Sequence, residues 1–358
     1  MSTPALQVYA GPRSRALLRE RGLRPQDVRV IPAAAGGAKG LVLNPLDRYL
    51  FGHWLPRADQ VVHLMGASIG AWRMAAGCLA DPDSALARLA KDYVMQSYEH
   101  APGKAPLASH VSAVFGAKLG EHFAGREAEV LAHPRYRLHV FTSHGRHLLS
   151  RQGRWRTPLG YAGAFFGNAV HRRALGVWLE RVVFADAREP FPLPTSDFRS
   201  QVVPLSAANL QPAILASCSI PFWLDAVHDI PGGPRGAYWD GGITDYHLHL
   251  PYDALPDGIV LYPHFQPQIV PGWLDKAFKR RHRATRWLDP LVVLVPHPDW
   301  ARALPGSKLP DRNDFKAYGD DHAGRQRVWR GAIAESQRLA DEFARLCERD
   351  TVDALPLP

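Results

Sequence analysis

Residues 60–74, Gln-Val-Val-His-Leu-Met-Gly-Ala-Ser-Ile-Gly-Ala-Trp-Arg-Met, contain the stretch that decides the fold. The apolar run Gln60–Met65 predicts a buried strand, and helical spacing continues from Ile69 to Lys91. Between them lies a Gly-x-Ser-x-Gly pattern, which in a nucleophile elbow places a serine on a tight strand-to-helix turn. The pattern predicts Ser68 as a nucleophile, and a purely structural glycine turn is the alternative. The supporting glycines of this turn are Gly66 and Gly70.

Short β-branched runs alternate with stretches of helical spacing on both sides of this segment. That alternation is typical of βα units around a mostly parallel sheet, so the predicted fold class is α/β. Helical spacing is found over Leu46–Leu55, Ile69–Lys91 and Val328–Asp350. The predicted strands are Asp27–Ile31, Gln60–Met65, Arg137–Thr142, Arg181–Ala185, Gln201–Leu205, Gly258–Tyr262 and Leu291–Val295.

The composition is that of a folded globular protein, with 358 residues of which 46% are hydrophobic and 22% are charged. The net charge of +9 attracts polyanions or anionic lipid headgroups. No zinc finger, RNA-binding motif or basic zipper is present, so we expect no nucleic-acid partner. The three cysteines form no motif, Met1–Leu23 lacks the apolar region of a secretory signal, and no apolar run is long enough to span a bilayer. We therefore expect a cytoplasmic protein.

A glycine-rich loop, Ala35-Gly36-Gly37-Ala38-Lys39-Gly40, follows the first predicted strand. Acyl transfer needs backbone N–H donors aimed at an oxyanion, and consecutive glycines allow a loop to point them inward. The alternatives are an ordinary glycine turn or a phosphate-binding loop. A Walker loop is excluded because Gly40, rather than serine or threonine, follows Lys39.

A third motif, Trp239-Asp240-Gly241-Gly242, lies far along the chain from the serine. A serine hydroxyl loses its proton when it attacks, and a carboxylate hydrogen-bonded to it can accept that proton. Taken by itself, an Asp-Gly-Gly triplet indicates a turn.

In the order glycine loop, serine elbow and Asp-Gly-Gly, the three motifs resemble the patatin-like phospholipase family, also called patatin-like lipid acyl hydrolases. Two further segments support the resemblance, Ala-Ser-Cys-Ser-Ile-Pro-Phe at 216–222 and the Pro45-Leu46 helix start. The resemblance spans about Val28 to Thr244. It implies a three-layer α/β/α fold with a central, mostly parallel sheet.

The same resemblance implies hydrolysis of lipid carboxylic esters through an acyl-enzyme on a Ser-Asp dyad, without cofactor or metal. It makes Ser68 the nucleophile and Asp240 the base. The implied oxyanion hole is formed by N–H groups around Gly36, Gly37 and Ala38, and the implied supporting residues are Lys39, Gly40, Gly66, Gly70, Gly241 and Gly242. Lys39 stands where the family often has arginine, and Ala35 where many members have the first glycine of the loop.

Two other chemistries remain open at this level. A Ser-Asp-His triad would use a histidine after Ser68, and the candidates are His247, His249, His264 and His297. The His247-x-His249 pair with Asp245 also resembles part of a metal site, but the spacing is typical of alternating faces of a strand.

The basic segment 273–287, Trp-Leu-Asp-Lys-Ala-Phe-Lys-Arg-Arg-His-Arg-Ala-Thr-Arg-Trp, mixes six cations with aromatic rings. It suits peripheral contact with an anionic membrane, and a solvated basic helix near the site is the alternative. We predict an N-terminal segment 1–25, a catalytic domain 26–265, and an extension 266–358 packed on the same domain. Whether a lid covers the site does not follow from the sequence, and the region 100–130, rich in glycine, alanine and histidine, is the candidate place for one.

The functional prediction is a phospholipase A or lysophospholipase. The alternatives are an esterase, thioesterase or acyltransferase on another acyl substrate, and a non-catalytic lipid-binding protein. Headgroup, chain length and oligomeric state do not follow from the sequence.

Overall fold

The computed structural model of the protein describes residues 3–100 and 105–358. Within these residues eleven strands form one sheet. They are β1 (Leu6–Ala10), β2 (Val28–Ala33), β3 (Val62–Ala67), β4 (Tyr136–Gly145), β5 (Leu179–Ala185), β6 (Ser200–Pro204), β7 (Val227–His228), β8 (Ala237–Trp239), β9 (Ile259–Pro263), β10 (Leu291–Pro296) and β11 (Leu355–Pro356).

The main path of the sheet runs β11-β1-β10-β9-β2-β3-β4-β5-β6, and the β7-β8 hairpin joins it through β4. The five central strands from β10 to β4 are mutually parallel. Antiparallel pairs occur toward the edges, where β1 meets β10 and β5 meets β4.

Thirteen helices lie in the described residues, together with short 3₁₀ turns. The helices are α1 (Pro12–Arg21), α2 (Asn44–Tyr49), α3 (Ile69–Gly77), α4 (Pro82–Met95), α5 (Ala108–Phe123), α6 (Glu127–Leu131), α7 (Arg156–Val170), α8 (Leu210–Cys218), α9 (Gly242–Asp245), α10 (Pro298–Ala303), α11 (Asn313–Tyr318), α12 (His322–Glu335) and α13 (Gln337–Cys347). None of the helices in this part of the chain is both long and apolar enough to cross a membrane.

Two apolar cores lie on opposite faces of the sheet. In β10, Val292 and Leu294 point into a core shared with α2, α3, α4, α5, α8 and α13, whereas Val293 and Val295 point into the other. That second core is closed by the chain between residues 246 and 288. In β9, likewise, Ile259 and Leu261 belong to the first core and Val260 and Tyr262 to the second, so β9 and β10 are apolar on both faces, as covered parallel strands require. The predicted α/β/α architecture with a mostly parallel sheet is confirmed.

All seven predicted strands are present, with ends shifted by a few residues, but two predicted helices were wrong in their continuity. Ile69–Lys91 is divided into α3 and α4, because Asp81 caps a new helix that begins at Pro82. Val328–Asp350 falls in α12 and α13, which are divided at Ser336.

Three sequence predictions concern segments at the margins of the sheet. The basic segment contains short 3₁₀ turns, Trp273–Ala277, Lys279–His282 and Arg286–Leu288, so its interpretation as a single helix was wrong. The candidate place for a lid, 100–130, includes residues 101–104, which lie outside the described residues, and the remainder contains α5 and most of α6. The division at residues 25 and 265 stays a prediction, although β1 joins the central sheet.

Candidate active site

The site forms where two strands end facing each other along one edge of β4. β3 runs parallel to β4 and ends opposite Phe141, whereas β8 runs antiparallel and ends opposite Ser143. Thr142 is the single β4 residue between Phe141 and Ser143. The residue after β3 and the residue after β8 therefore both lie level with Thr142. These following residues are Ser68 and Asp240, which are 172 positions apart in the chain.

Ser68 and Asp240 form a buried, directed hydrogen bond. The Ser68 hydroxyl donates to Asp240 Oδ2 at 2.6 Å, and the Gly242 N–H donates to Asp240 Oδ1 at 2.7 Å. Burial raises the pKa of Asp240, and its hydrogen bond with Ser68 and the nearby Arg312 and Lys276 partly oppose that rise. A carboxylate with a raised pKa is a better proton acceptor, and it is oriented here by a backbone donor.

The turn at Ser68 has the backbone geometry of a nucleophile elbow. Ser68 has φ 56° and ψ −131°, a conformation that costs a non-glycine residue on the order of 1–3 kcal/mol. Gly70 is required by close approach, since a Cβ there would lie 2.0 Å from the Ala33 carbonyl oxygen. Helix α3 begins at Ile69, which places the positive end of its dipole beside the hydroxyl.

Ser217 holds the elbow in place and was not predicted as a site residue. Its Oγ accepts a hydrogen bond from the Ser68 N–H at 2.8 Å and donates one to the Phe141 carbonyl at 2.6 Å. Its own carbonyl accepts from the Gly241 N–H at 3.1 Å. The residue thus contacts both halves of the dyad and β4. The segment at 216–222 contains it, but only the tertiary contacts show what it does.

We expect Ser217→Ala to lower kcat for ester hydrolysis about 10-fold while KM changes little. The substitution leaves the buried Ser68 N–H without its acceptor, which costs about 1–3 kcal/mol and loosens the turn. Steady-state kinetics checks this. Ser219→Ala is the matched control, because the Ser219 hydroxyl bonds only to the Leu215 carbonyl of its own helix. Equal kinetics for the two variants would contradict the positioning role.

The glycine-rich loop lies against the elbow and the Asp-Gly-Gly turn. It continues as a 3₁₀ turn over Gly37–Leu43, and a Cβ at Gly40 would lie 3.6 Å from the Ile69 side chain. A Cβ at Gly242 would lie 2.5 Å from Ala35 Cβ, so Gly242 packs at the other side of the loop, whereas a Cβ at Gly241 would lie 2.0 Å from the Phe141 carbonyl oxygen of β4. Among the described residues, the N–H groups of Gly37 and Ala38 have no hydrogen-bond partner. They are free donors beside the dyad.

Three cations surround the dyad. Lys39 Nζ lies 5.2 Å from the centre of the Phe265 ring, which packs on Gly36. Lys276 Nζ lies 4.1 Å from the centre of the Tyr246 ring. The third is Arg312, since a Cβ at Gly37 would lie 3.2 Å from its Nε atom. In the part of the chain that the structure describes, none of the three makes an ion pair, and Asp311, the acid whose charge acts on Lys39, is bound by Lys308.

Desolvation lowers the pKa values of two of these cations. Partial desolvation, with Lys39 and Arg312 nearby, lowers the pKa of Lys276 to about 8. Desolvation also lowers the pKa of Lys39. In the sequence, Lys276 is one cation of a basic run, and no motif marks Arg312, so Arg312 was not predicted as a site residue.

The four candidate histidines bond to groups other than Ser68 and Asp240. His247 bonds to the backbone of Gln268 and Val270, His264 to the backbone of Gln266, His249 to Thr285, and His297 caps α10. Asp245, the third member of the possible metal set, is bound by Arg181. In residues 3–100 and 105–358, no group of three histidine, cysteine or acidic side chains could hold a metal ion.

One comparison, with models of protein families, agrees with the motif assignment. A family model described as patatin-like phospholipase matches residues 36–250, which include the loop, the elbow and Asp-Gly-Gly. Among solved structures, VipD from Legionella pneumophila is 10% identical, with 96% of this chain and 71% of that chain covered and a TM-score of 0.33. No curated protein matches the chain significantly.

Proposed function

Because the chain belongs to the patatin-like phospholipase family, we propose that it is a phospholipase A or lysophospholipase with a Ser-Asp dyad. The family supports lipid acyl hydrolysis as the general activity. The observation that carries the finer proposal is the 2.6 Å hydrogen bond from the Ser68 hydroxyl to Asp240. It joins the one serine on a strained elbow to a buried carboxylate.

In the first half of the reaction, Ser68 attacks the ester carbonyl and its proton passes to Asp240 Oδ2. The carbonyl oxygen becomes an oxyanion, which the N–H groups around Gly36, Gly37 and Ala38 stabilise together with the α3 dipole. The tetrahedral intermediate then expels the alcohol, which takes the proton from Asp240. The product is an acyl-enzyme on Ser68.

In the second half, Asp240 takes a proton from water as the water attacks the acyl-enzyme. The oxyanion forms again at the same N–H donors, and its collapse returns the proton to Ser68 and releases the fatty acid. One carboxylate serves both halves, because its other oxygen stays fixed by the Gly242 N–H. No histidine is needed.

An anionic headgroup is favoured over a neutral one by the charge around the dyad. Lys39 and Arg312 are close enough to contribute to the lowered pKa of Lys276, and none of the three cations makes an ion pair with a carboxylate in the described chain. A phosphate beside the scissile ester would be stabilised by such a cluster. The substrate class we propose is therefore an acyl ester of a phosphate-bearing alcohol.

We expect Lys276→Met to raise KM for a lysophosphatidate about 10-fold without changing hydrolysis of a neutral short-chain ester. For the wild type, KM for the anionic substrate should increase as pH rises through about 8, because Lys276 loses its charge there. The variant should lack this dependence. Lys279→Met, which removes an exposed cation three residues away, is the control. An equal loss on both substrates would contradict a role in anion recognition.

Fatty-acid release from mixed phospholipid vesicles tests the proposed function, with mass spectrometry of the products. We expect free fatty acid and a lysophospholipid or a fully deacylated headgroup, and the products identify the bond cut. Activity on soluble short-chain esters with none on vesicles would favour the esterase, thioesterase or acyltransferase alternative. Vesicle binding without hydrolysis of any ester would favour a lipid-binding protein. Contact of segment 273–287 with anionic membrane stays a prediction.

A further inference from the structure

Most of the large apolar residues of helix α7 lie on its exposed face, whereas a helix packed on a domain usually buries such residues. Its buried positions are small or polar, namely Thr157, Gly160, Ala164 and Asn168. Its exposed face carries Leu159, Phe166 and Val170, whose exposed fractions run from 60% at Leu159 to 85% at Val170. Spacings of seven and four residues place these side chains on one stripe, which Trp155 extends at the N-terminus. A stripe of this kind needs an apolar partner.

Neighbouring segments enlarge this stripe into one surface. Phe222 packs against Tyr161 of α7 with ring centres 6.0 Å apart, and Phe165 stacks on Phe278 at 6.1 Å. Trp273 lies on the 3₁₀ turn that packs against α7. We call this surface the apolar face. Its members are Trp155, Leu159, Phe165, Phe166, Val170, Phe222, Trp223 and Trp273, all of them exposed.

Two stretches of sequence beside the apolar face are strongly basic. Residues 146–179 include six arginines and no aspartate or glutamate, and residues 276–288 include six further lysines and arginines, again without an acid. Arg154, Arg156 and Arg173 are exposed beside α7. Aromatic side chains rimmed by cations fit the boundary between headgroups and acyl chains of an anionic bilayer.

We propose that the apolar face is the surface by which the protein docks on an anionic lipid bilayer. The aromatic rings enter the boundary between headgroups and acyl chains, and the surrounding arginines contact lipid phosphates. A second copy of this chain is a poorer occupant, because each copy would bring the same positive rim to the interface. The purpose of docking rests on the proposed function, but the docking itself does not.

The apolar face is attached to the catalytic elements. The rings of Tyr161, on α7, and Trp239, the residue before Asp240, have their centres 5.8 Å apart. Asp275 is fully buried and binds Asn168 of α7 together with Arg172 and Arg281, which ties the helix to the basic segment. Docking through α7 therefore brings the dyad to the membrane surface. It also extends the membrane contact beyond the segment at 273–287 that the sequence marked.

The test measures vesicle binding by the Ser68→Ala protein, which leaves the lipid intact during the experiment. Cosedimentation uses vesicles of phosphatidylcholine with and without phosphatidylglycerol. We expect binding to the anionic vesicles, and at least about 10-fold weaker binding when Leu159→Gln and Phe166→Gln are added. Leu355→Gln is the matched control, since Leu355 is exposed on β11 at the far edge of the sheet.

A charge arm replaces Arg154, Arg156 and Arg173 with glutamine, and we expect about 5-fold weaker binding to anionic vesicles for each cation removed. Unchanged binding in the Leu159→Gln, Phe166→Gln protein would overturn the proposal. So would a dimer in sedimentation equilibrium that these two substitutions dissociate, since the face would then belong to a second copy.

A separate readout distinguishes failed docking from failed catalysis. With Ser68 restored, the Leu159→Gln, Phe166→Gln protein should hydrolyse a soluble short-chain ester as the wild type does, while losing activity on vesicles. If the wild type hydrolyses no ester but the two substitutions still weaken vesicle binding, the docking surface stands and the proposed function fails. If the soluble activity falls as much as the vesicle activity, the docking role is overturned.

Discussion

We expect Ser68→Ala and Asp240→Asn each to lower kcat/KM for ester hydrolysis by about 10,000-fold or more. Loss of the nucleophile removes the acyl-enzyme route, and loss of either member of a catalytic unit costs nearly as much as loss of both. Asp240→Asn keeps the shape of the side chain and an oxygen for the Gly242 N–H. It cannot take the Ser68 proton, so its effect isolates the base.

The double variant Ser68→Ala, Asp240→Asn tests whether the two residues contribute to catalysis independently of each other. If the two residues act as one unit, the double variant should be no slower than Ser68→Ala alone. Losses that multiply would contradict the dyad. Circular dichroism and thermal unfolding should show all three variants folded, and neither substitution changes side-chain volume greatly. An active Asp240→Asn enzyme would assign the base to another residue.

The largest effect on stability should come from Arg181→Met, at about 3–5 kcal/mol in the free energy of unfolding. Arg181 of β5 makes paired hydrogen bonds with Asp245, at 2.6 and 2.8 Å, and with Asp197, at 2.8 and 2.9 Å. Its side chain is almost wholly inaccessible. Removing Arg181 leaves two buried carboxylates without their cation. An uncompensated buried charge lowers the free energy of unfolding more than the loss of the whole ion network would.

Urea unfolding measures this loss, with Arg19→Met as the matched control. Arg19 pairs with Asp353 at 3.0 Å, but both side chains are mostly exposed, so we expect a change below about 1 kcal/mol. The Arg181 network also anchors α9, because Asp245 is its last residue and Asp240 lies just before it. Arg181→Met should therefore reduce activity as well. Similar stability for the two variants would contradict the buried network.

Elements of the fold whose position depends on adjacent residues were predicted from the sequence. The strand before Ser68 is mostly apolar and runs into the Gly-x-Ser-x-Gly pattern, so its position and its turn into α3 follow from neighbouring residues alone. The central strands were predicted for the same reason. The break before α4 was missed because apolar spacing continues across Pro82, even though Asp81 and Pro82 are a helix start.

Contacts between distant segments were beyond this kind of prediction. β8 has only three residues and pairs antiparallel with β4, so nothing near Asp240 indicates that it meets Ser68 end to end. Ser217 and Arg312 reach the site through tertiary packing and belong to no chemical motif. The exposure of α7 was also hidden, because its residues have helical spacing whichever face is covered.

The central claim is that Ser68 is an activated nucleophile, and reaction with a fluorophosphonate tests it most directly. We predict one added phosphonyl group per chain by intact-mass spectrometry, located on Ser68 by peptide mapping. Labelling should be absent in Ser68→Ala and much slower in Asp240→Asn, since the carboxylate must take the proton. A folded wild-type protein that takes up no label, or that is labelled at another residue while Ser68 stays free, would contradict the account.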